Sequence, residues 1–261
     1  MKTKSIILLV AVIFGLGFTQ CKKDKGEPPA LPPSGAMSAD FSIFNETKAV
    51  QDSFSIVNWQ WAAWNVGFWN VAIYVNLAVP VAAFAESFKH TPVQEDDESW
   101  TWEYTVTTLG GTYTCALNGK TVTDGVEWKM YISSNTYTDF LWYEGYSNLG
   151  NTYGTWTLYR SPSNPEQYIG ITWNSNISAG TSDIEFKNIV PGGDENGGYI
   201  KFGIVSGNYD AFYHIYNKGA DNLTEIEADR TTQEGRIKDE AHFGNTDWYC
   251  WDNNHYNVDC Q

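Results

Sequence analysis

The residues best able to do chemistry in this chain are four histidines, four cysteines and three glutamates in alternating runs. They are His90, His214, His242 and His255; Cys21, Cys115, Cys250 and Cys260; and Glu103, Glu127 and Glu144. The histidines form no His-Glu-x-x-His pair, and no Gly-x-Ser-x-Gly elbow is present. Zinc-protease and serine-hydrolase chemistry therefore lack their usual carriers. Two carboxylates about 5 to 9 Å apart would suit glycoside hydrolysis. Glu144 stands out among the three, between Tyr143 and Gly145 in an aromatic run. Carboxylates on the wet face of a strand ordinarily serve solvation, and we assign no catalytic residue. The chain reads as a non-enzyme.

Cys250 and Cys260 sit ten apart in WYCWDNNHYNVDC at the C-terminus. In an oxidising compartment they are expected to form a disulfide that holds the terminus down. A zinc site from His242, Cys250, His255 and Cys260 is the alternative, but these spacings match no common zinc pattern. Cys115, in Tyr113-Thr-Cys115-Ala-Leu117, reads as a small buried hydrophobe. Its pairing with a C-terminal cysteine stays open. The acidic runs QEDDES (94–99) and GGDENGG (192–198) lack the alternating ligand spacing of a calcium loop and read as solvated turns. No metal and no cofactor is assigned.

The compartment follows from the N-terminus. Residues 1–20 have a basic start (Lys2, Lys4) and an apolar run from Ile6 to Phe18. That run is short for a membrane span and reads as a secretory signal. Cys21 directly after it resembles the bacterial lipoprotein signal, which implies cleavage before Cys21 and lipidation of its thiol. An ordinary signal cut elsewhere is the alternative, since Gln20 stands where a small residue is usual. Residues 21–36 (CKKDKGEPPALPPSGA) read as a charged, Pro-rich tether. A Lys-Asp pair such as Lys23-Asp24 resembles the export tether of Bacteroidota-type lipoproteins, which implies an outer-membrane location, periplasmic or at the cell surface. The whole chain has 16 basic and 31 acidic residues, and losing Lys2 and Lys4 leaves 14 against 31, a formal charge of −17. Such a surface repels phosphate backbones, so nucleic acid is excluded as a partner.

Two kinds of element must position any site. Between Val50 and Ala85 the chain is charge-free from Ser53 onward and holds Trp59, Trp61, Trp64 and Trp69. Steps of three and four join Phe54, Val57, Trp61, Trp64, Phe68, Val71 and Val75, which predicts a helix. Trp59, Val66, Trp69 and Ile73 fall on other faces, so this helix is apolar nearly all round, as buried or spanning helices are. Five amides (Asn58, Gln60, Asn65, Asn70, Asn76) and Pro80 argue against a membrane span. Val79-Pro80 is expected to end the first helix and start a second, which closes before Pro92. From Trp100 the period changes to two. Trp100, Trp102, Tyr104 and Val106 open a series of alternating runs that includes Trp128-Met130-Ile132, Trp156-Leu158 and Ile200-Phe202-Ile204. Turn signals about ten residues apart predict an antiparallel meander of about ten strands, apolar on one face.

The expected fold is α+β, mostly β: a curved sheet or incompletely closed barrel around the N-terminal apolar helix. One domain, 37–261, follows the tether, with a helical plug (50–89), the meander (100–240) and a disulfide-closed end (241–261). This architecture broadly resembles that of the periplasmic lipoprotein carriers. The runs FLWYEG (140–145), GTWTLY (154–159) and WYCWD (248–252) resemble uncharacterised outer-membrane lipoproteins of Bacteroidota, and that resemblance implies no activity. Inward aromatics suggest a non-enzymatic envelope protein that binds an apolar or amphipathic ligand, with Trp61, Trp64, Phe68, Trp128, Trp142 and Trp156 facing it. The opposing possibility is that helix side chains fill that space themselves. The alternative function is a surface module for glycan or protein, using Tyr143, Tyr146, Tyr153 and Tyr159. The expected partners are the membrane, through the lipid anchor, and a lipid or glycan ligand.

Overall fold

The computed structural model describes residues 26–44 and 56–260. The expected signal, Cys21 and the first part of the tether lie outside the described residues. The strands form one antiparallel sheet in which each strand's neighbour in space is its neighbour in sequence. The first seven are β1 (Val93–Gln94), β2 (Trp100–Thr108), β3 (Gly111–Val122), β4 (Gly125–Ser133), β5 (Phe140–Asn148), β6 (Tyr153–Ser161) and β7 (Asn164–Asn176). There follow β8 (Thr181–Asn188), β9 (Tyr199–Ile204), β10 (Ala211–Asn217), β11 (Asn222–Ala228), β12 (Gly235–Asp239), β13 (Tyr249–Trp251) and β14 (Asn257–Val258). The count is 14 rather than about ten. Three of the additional strands, β1, β13 and β14, are two or three residues long, too short to show an alternation. The sheet does not close on itself.

Alternation sorts the side chains as expected. Trp102, Tyr104 and Val106 are buried while Glu103 and Thr105 are exposed, and Trp128, Met130 and Ile132 repeat the pattern on β4. The largest inward rings fit because small residues lie opposite them. Trp128 pairs across the sheet with Gly119 on one side and Gly145 on the other. A Cβ on Gly119 would come within 2.5 Å of the Trp128 ring, so glycine there is a packing requirement.

The helical part departs from expectation. A single helix, α1 (Val57–Ser87), runs through Pro80 without stopping. Proline inside a helix costs about 3 kcal/mol through the lost hydrogen bond and the clash with the preceding turn. Here Pro80 is buried with Leu77, Ala83 and Phe84 along one face, and the Tyr104 hydroxyl donates to the Ala83 carbonyl at 2.6 Å. Burial of that face against β2 and β3 offsets the local penalty. The second helix is instead the four-residue α2 (Glu240–Phe243), capped by Asp239, which accepts from His242 N.

The helix ends are pinned to opposite ends of the sheet. At the start of α1, Asn58 Nδ2 donates to the Cys250 carbonyl at 2.9 Å, and Trp59 stacks on His255 with centroids 4.2 Å apart. At its end, Tyr104 holds Ala83 and Phe84 packs edge-on against Trp156. The middle strands are covered by a segment read from sequence as tether and lead-in. Leu31 and Met37 pack on the core, Trp156 Nε1 donates to the Ala36 carbonyl, and Tyr213 donates to the Asp40 carbonyl. The tether therefore ends before 36. The chain carries no charge from Pro28 to Ala39, so nothing opposes burial there.

Candidate functional site

Between α1 and strands β7 to β12 lies a cavity of about 730 Å³. Its helix wall includes Trp61, Trp64, Phe68, Trp69 and Ile73, and its sheet wall Ile169, Phe186 and Ile215. Amides ring it: Asn65 and Asn76 from the helix, Asn188, Asn217 and Asn222 from the sheet. Asn65 donates to the Trp61 carbonyl and Asn76 to the Ala72 carbonyl, one turn back in each case. Their side-chain oxygens are the acceptors that this wall offers a ligand. Lys187 and Glu195 join the amides at the rim, so the result is a mostly apolar space with a polar mouth, the composition of small-molecule sites.

One wall is a file of rings held in place from behind. His242 stacks on Trp61 at 3.9 Å, Trp61 on Trp64 at 5.2 Å, and Trp64 on Phe68 at 6.3 Å. Trp61 is fixed by its Nε1, which donates to Asp239 Oδ2 at 2.8 Å. Asp239 is buried and also accepts from Asn222, Thr224 and the His242 backbone N–H. Burial pushes its carboxyl up, but the hydrogen bonds from Trp61, Asn222, Thr224 and His242 outweigh that and hold it below its ordinary value. A satisfied carboxylate thus ties α1 to the end of β12. Asp239 was not among the expected site residues, and His242 entered only as a ligand of the zinc alternative. A signal was present: Gly235, Ile237 and Asp239 are alternate residues of β12, so a carboxylate falls on the apolar face.

The six aromatics expected to face a ligand divide evenly. Trp61, Trp64 and Phe68 line the cavity. Trp128 and Trp156 do not: both are fully buried, and each indole N–H is used internally, by Ser147 Oγ and the Ala36 carbonyl. They fill space over glycines. Trp142 is also placed elsewhere, packed edge-on with Tyr137 and Phe140 near the β4–β5 connection.

The tyrosines proposed for glycan contact are also dispersed. Tyr143 is fully buried, edge-on to Trp156, which corrects its expected outward position. Tyr146 donates to the Asp124 carbonyl, Tyr159 donates to Glu144 Oε1 at 2.6 Å, and only Tyr153 of the four is exposed. Glu103 and Glu127 are exposed, and neither they nor Glu144 lines the cavity.

The cysteine alternatives close. Cys250 and Cys260 form a disulfide, S–S 2.12 Å, which removes two ligands from the zinc alternative and the partner from Cys115. His242 and His255 serve as stacking partners of Trp61 and Trp59. Cys115 is buried, and burial pushes its thiol up to about 12. Among the described residues no group of three or more His, Cys, Asp or Glu is placed to hold a metal. In comparisons with known proteins, no family model, no curated protein and no solved structure matches the chain.

Proposed function

We propose that this chain is a non-enzymatic binding protein of the cell envelope that takes an amphipathic ligand, an acyl chain with a polar head, into the cavity beside α1. The observation that carries this reading is the cavity itself, about 730 Å³ of mostly apolar space with a ring of amides. Apolar side chains there would receive the chain, and the amides with Lys187 and Glu195 a polar head. The address rests on residues outside the described ones: a secretory signal over 1–20 and a lipid on Cys21, holding the domain to the outer membrane.

The fold supports such a space. From Asn58, held at β13, to Ala83, held at β2, the helix rises ~38 Å at ~1.5 Å per residue. Eleven strand steps separate β13 from β2, an arc of ~53 Å at ~4.8 Å each. A helix shorter than the arc it joins acts as a chord, so the sheet is read as curved around it. The gap between chord and arc is occupied partly by the lead-in segment and partly by the cavity.

Titration with a fluorescent fatty acid, with native mass spectrometry of the purified protein, tests the reading. One equivalent is expected to bind. Ala72→Trp, which places a large ring in the cavity from the helix wall, is expected to abolish uptake while leaving the melting curve near that of the wild type. A clean unliganded mass with no uptake by the wild type refutes it.

A further inference from the structure

The cavity uses Trp61, Trp64 and Phe68 at one edge of the outer face of α1 and leaves the rest of that face without a role. The buried face is built from Trp59, Ala62, Val66, Ile73, Leu77 and Phe84. At ~100° per residue, Val57, Trp64, Phe68, Val71 and Val75 centre roughly 175° away. They are 41%, 61%, 61%, 63% and 71% exposed. This is the stripe whose spacing predicted a core-facing helix, and it faces out. Trp61, half-buried against His242, completes it. The steps from Val57 to Val75 are four, three, four, three and four residues, the repeat of a helix-on-helix seam.

We infer that the outer face of α1 pairs with the same helix of a second copy, antiparallel across a two-fold axis. The seam is self-complementary in position. Its six residues are symmetric about residue 66, so a two-fold axis there sets Val57 against Val75, Trp61 against Val71 and Trp64 against Phe68 of the second copy. Each large ring or small side chain meets a partner in one layer of an antiparallel pair, as an isologous interface requires. The area suffices. With fully exposed aromatics at ~200 Å² and valines at ~150 Å², the exposed fractions sum to ~500 Å² per copy, ~1,000 Å² for the pair before flanking groups are counted. That reaches the lower bound of about 1,000 Å² for a specific interface. The chemistry favours a second copy over a bilayer surface. A helix that lies on a membrane carries Lys or Arg along its polar face, whereas α1 is charge-free from Val57 to Ala85 in a chain of net charge −15. Its flanks carry amides, Gln60 on one side and Asn65 on the other, which can hydrogen-bond across a helix pair. Since Trp61, Trp64 and Phe68 also line the cavity, the second copy would wall its mouth.

Sedimentation velocity on the full chain, over about a hundred-fold concentration range, tests the pairing. A monomer–dimer equilibrium is expected for the wild type, and a monomer throughout for Trp64→Glu/Phe68→Glu with an unchanged melting curve. An equimolar mixture of Val57→Cys and Val75→Cys copies, mildly oxidised, is expected to give several-fold more cross-linked dimer than either variant alone. A wild type that is monomeric at every concentration overturns the inference, as does a dimer that persists in the folded double variant. Equal cross-linking in the mixture and in the single variants overturns the antiparallel register. A monomer that floats with phosphatidylcholine vesicles as wild type but not as Trp64→Glu/Phe68→Glu assigns the face, rather than the Cys21 lipid, to a bilayer and also overturns it. The seam needs no ligand. Retained fatty-acid uptake by a monomer sinks only the dimer, and a dimer without uptake sinks only the ligand reading.

Discussion

Replacing Asp239 by asparagine tests the tie between the helix and the sheet. Each carboxylate oxygen accepts two donors: Oδ2 from Trp61 Nε1 and Thr224 Oγ1, Oδ1 from Asn222 Nδ2 and His242 N. An asparagine keeps one oxygen and turns an NH₂ toward two donors, so two bonds are lost and donors face donors. Hydrogen bonds to a charged group contribute about 1.5–3 kcal/mol each, so the expected loss at pH 7 is ~3–5 kcal/mol. The pH dependence gives a second readout. The folded carboxyl titrates below its unfolded value, so its stabilisation is complete above the unfolded pKa, about 3.9, and is lost as pH falls through the lower folded value. Asparagine does not titrate. The gap between wild type and Asp239→Asn should therefore be constant from pH 7 down to about 4.5 and shrink below about 4. Urea unfolding followed by far-UV circular dichroism at stepped pH measures both. A gap under about 0.5 kcal/mol at pH 7, or one that does not narrow in acid, would refute the assignment of Asp239 as the anchor of Trp61.

Further outcomes follow from packing and from the cysteines. Gly145→Ala would place a Cβ 2.1 Å from the Thr155 carbonyl oxygen and 2.4 Å from the Trp156 ring; the backbone cannot yield as a side chain would, so a loss of ~2–4 kcal/mol is expected in urea melts. Reducing the Cys250–Cys260 disulfide opens a loop of sequence separation 10, and the chain-entropy model puts the loss at ~3 kcal/mol, to be read as the drop in melting temperature on adding a thiol reductant. In the native protein Cys115 should resist maleimide at pH 8, because its buried thiol titrates at about 12; labelling should appear only in denaturant, and fast native labelling would show the thiol to be accessible.

The sequence by itself determined the meander. A strand with one wet face must alternate, and Trp102-Tyr104-Val106 against Glu103-Thr105 does so without help from distant parts of the chain. It also determined that the stretch up to Ala85 is apolar and helical on both sides of Pro80, since spacing and the absence of charge are local properties. Where alternation was hidden, the cause was packing. Tyr143, Gly145 and Ser147 are the inward residues of β5, but two of them must be small beneath Trp128 and Trp156, so the apolar signal vanished and Tyr143 was assigned to the wrong face.

Only the tertiary structure decided which face of α1 is buried. Because the helix is apolar all round, its hydrophobic pattern cannot choose, and the stripe with the most regular spacing turned outward. The choice was made by partners far away in sequence: His255 under Trp59, the Cys250 carbonyl for Asn58, and Tyr104 for Ala83. Continuity through Pro80 has the same origin. A proline breaks a helix whose stability is local, but α1 is held at both ends by a sheet that buries Pro80 itself. The cavity belongs to this level as well. Its volume is the space left between a helix of set length and the strands on either side, a quantity that no residue or short run of residues carries alone.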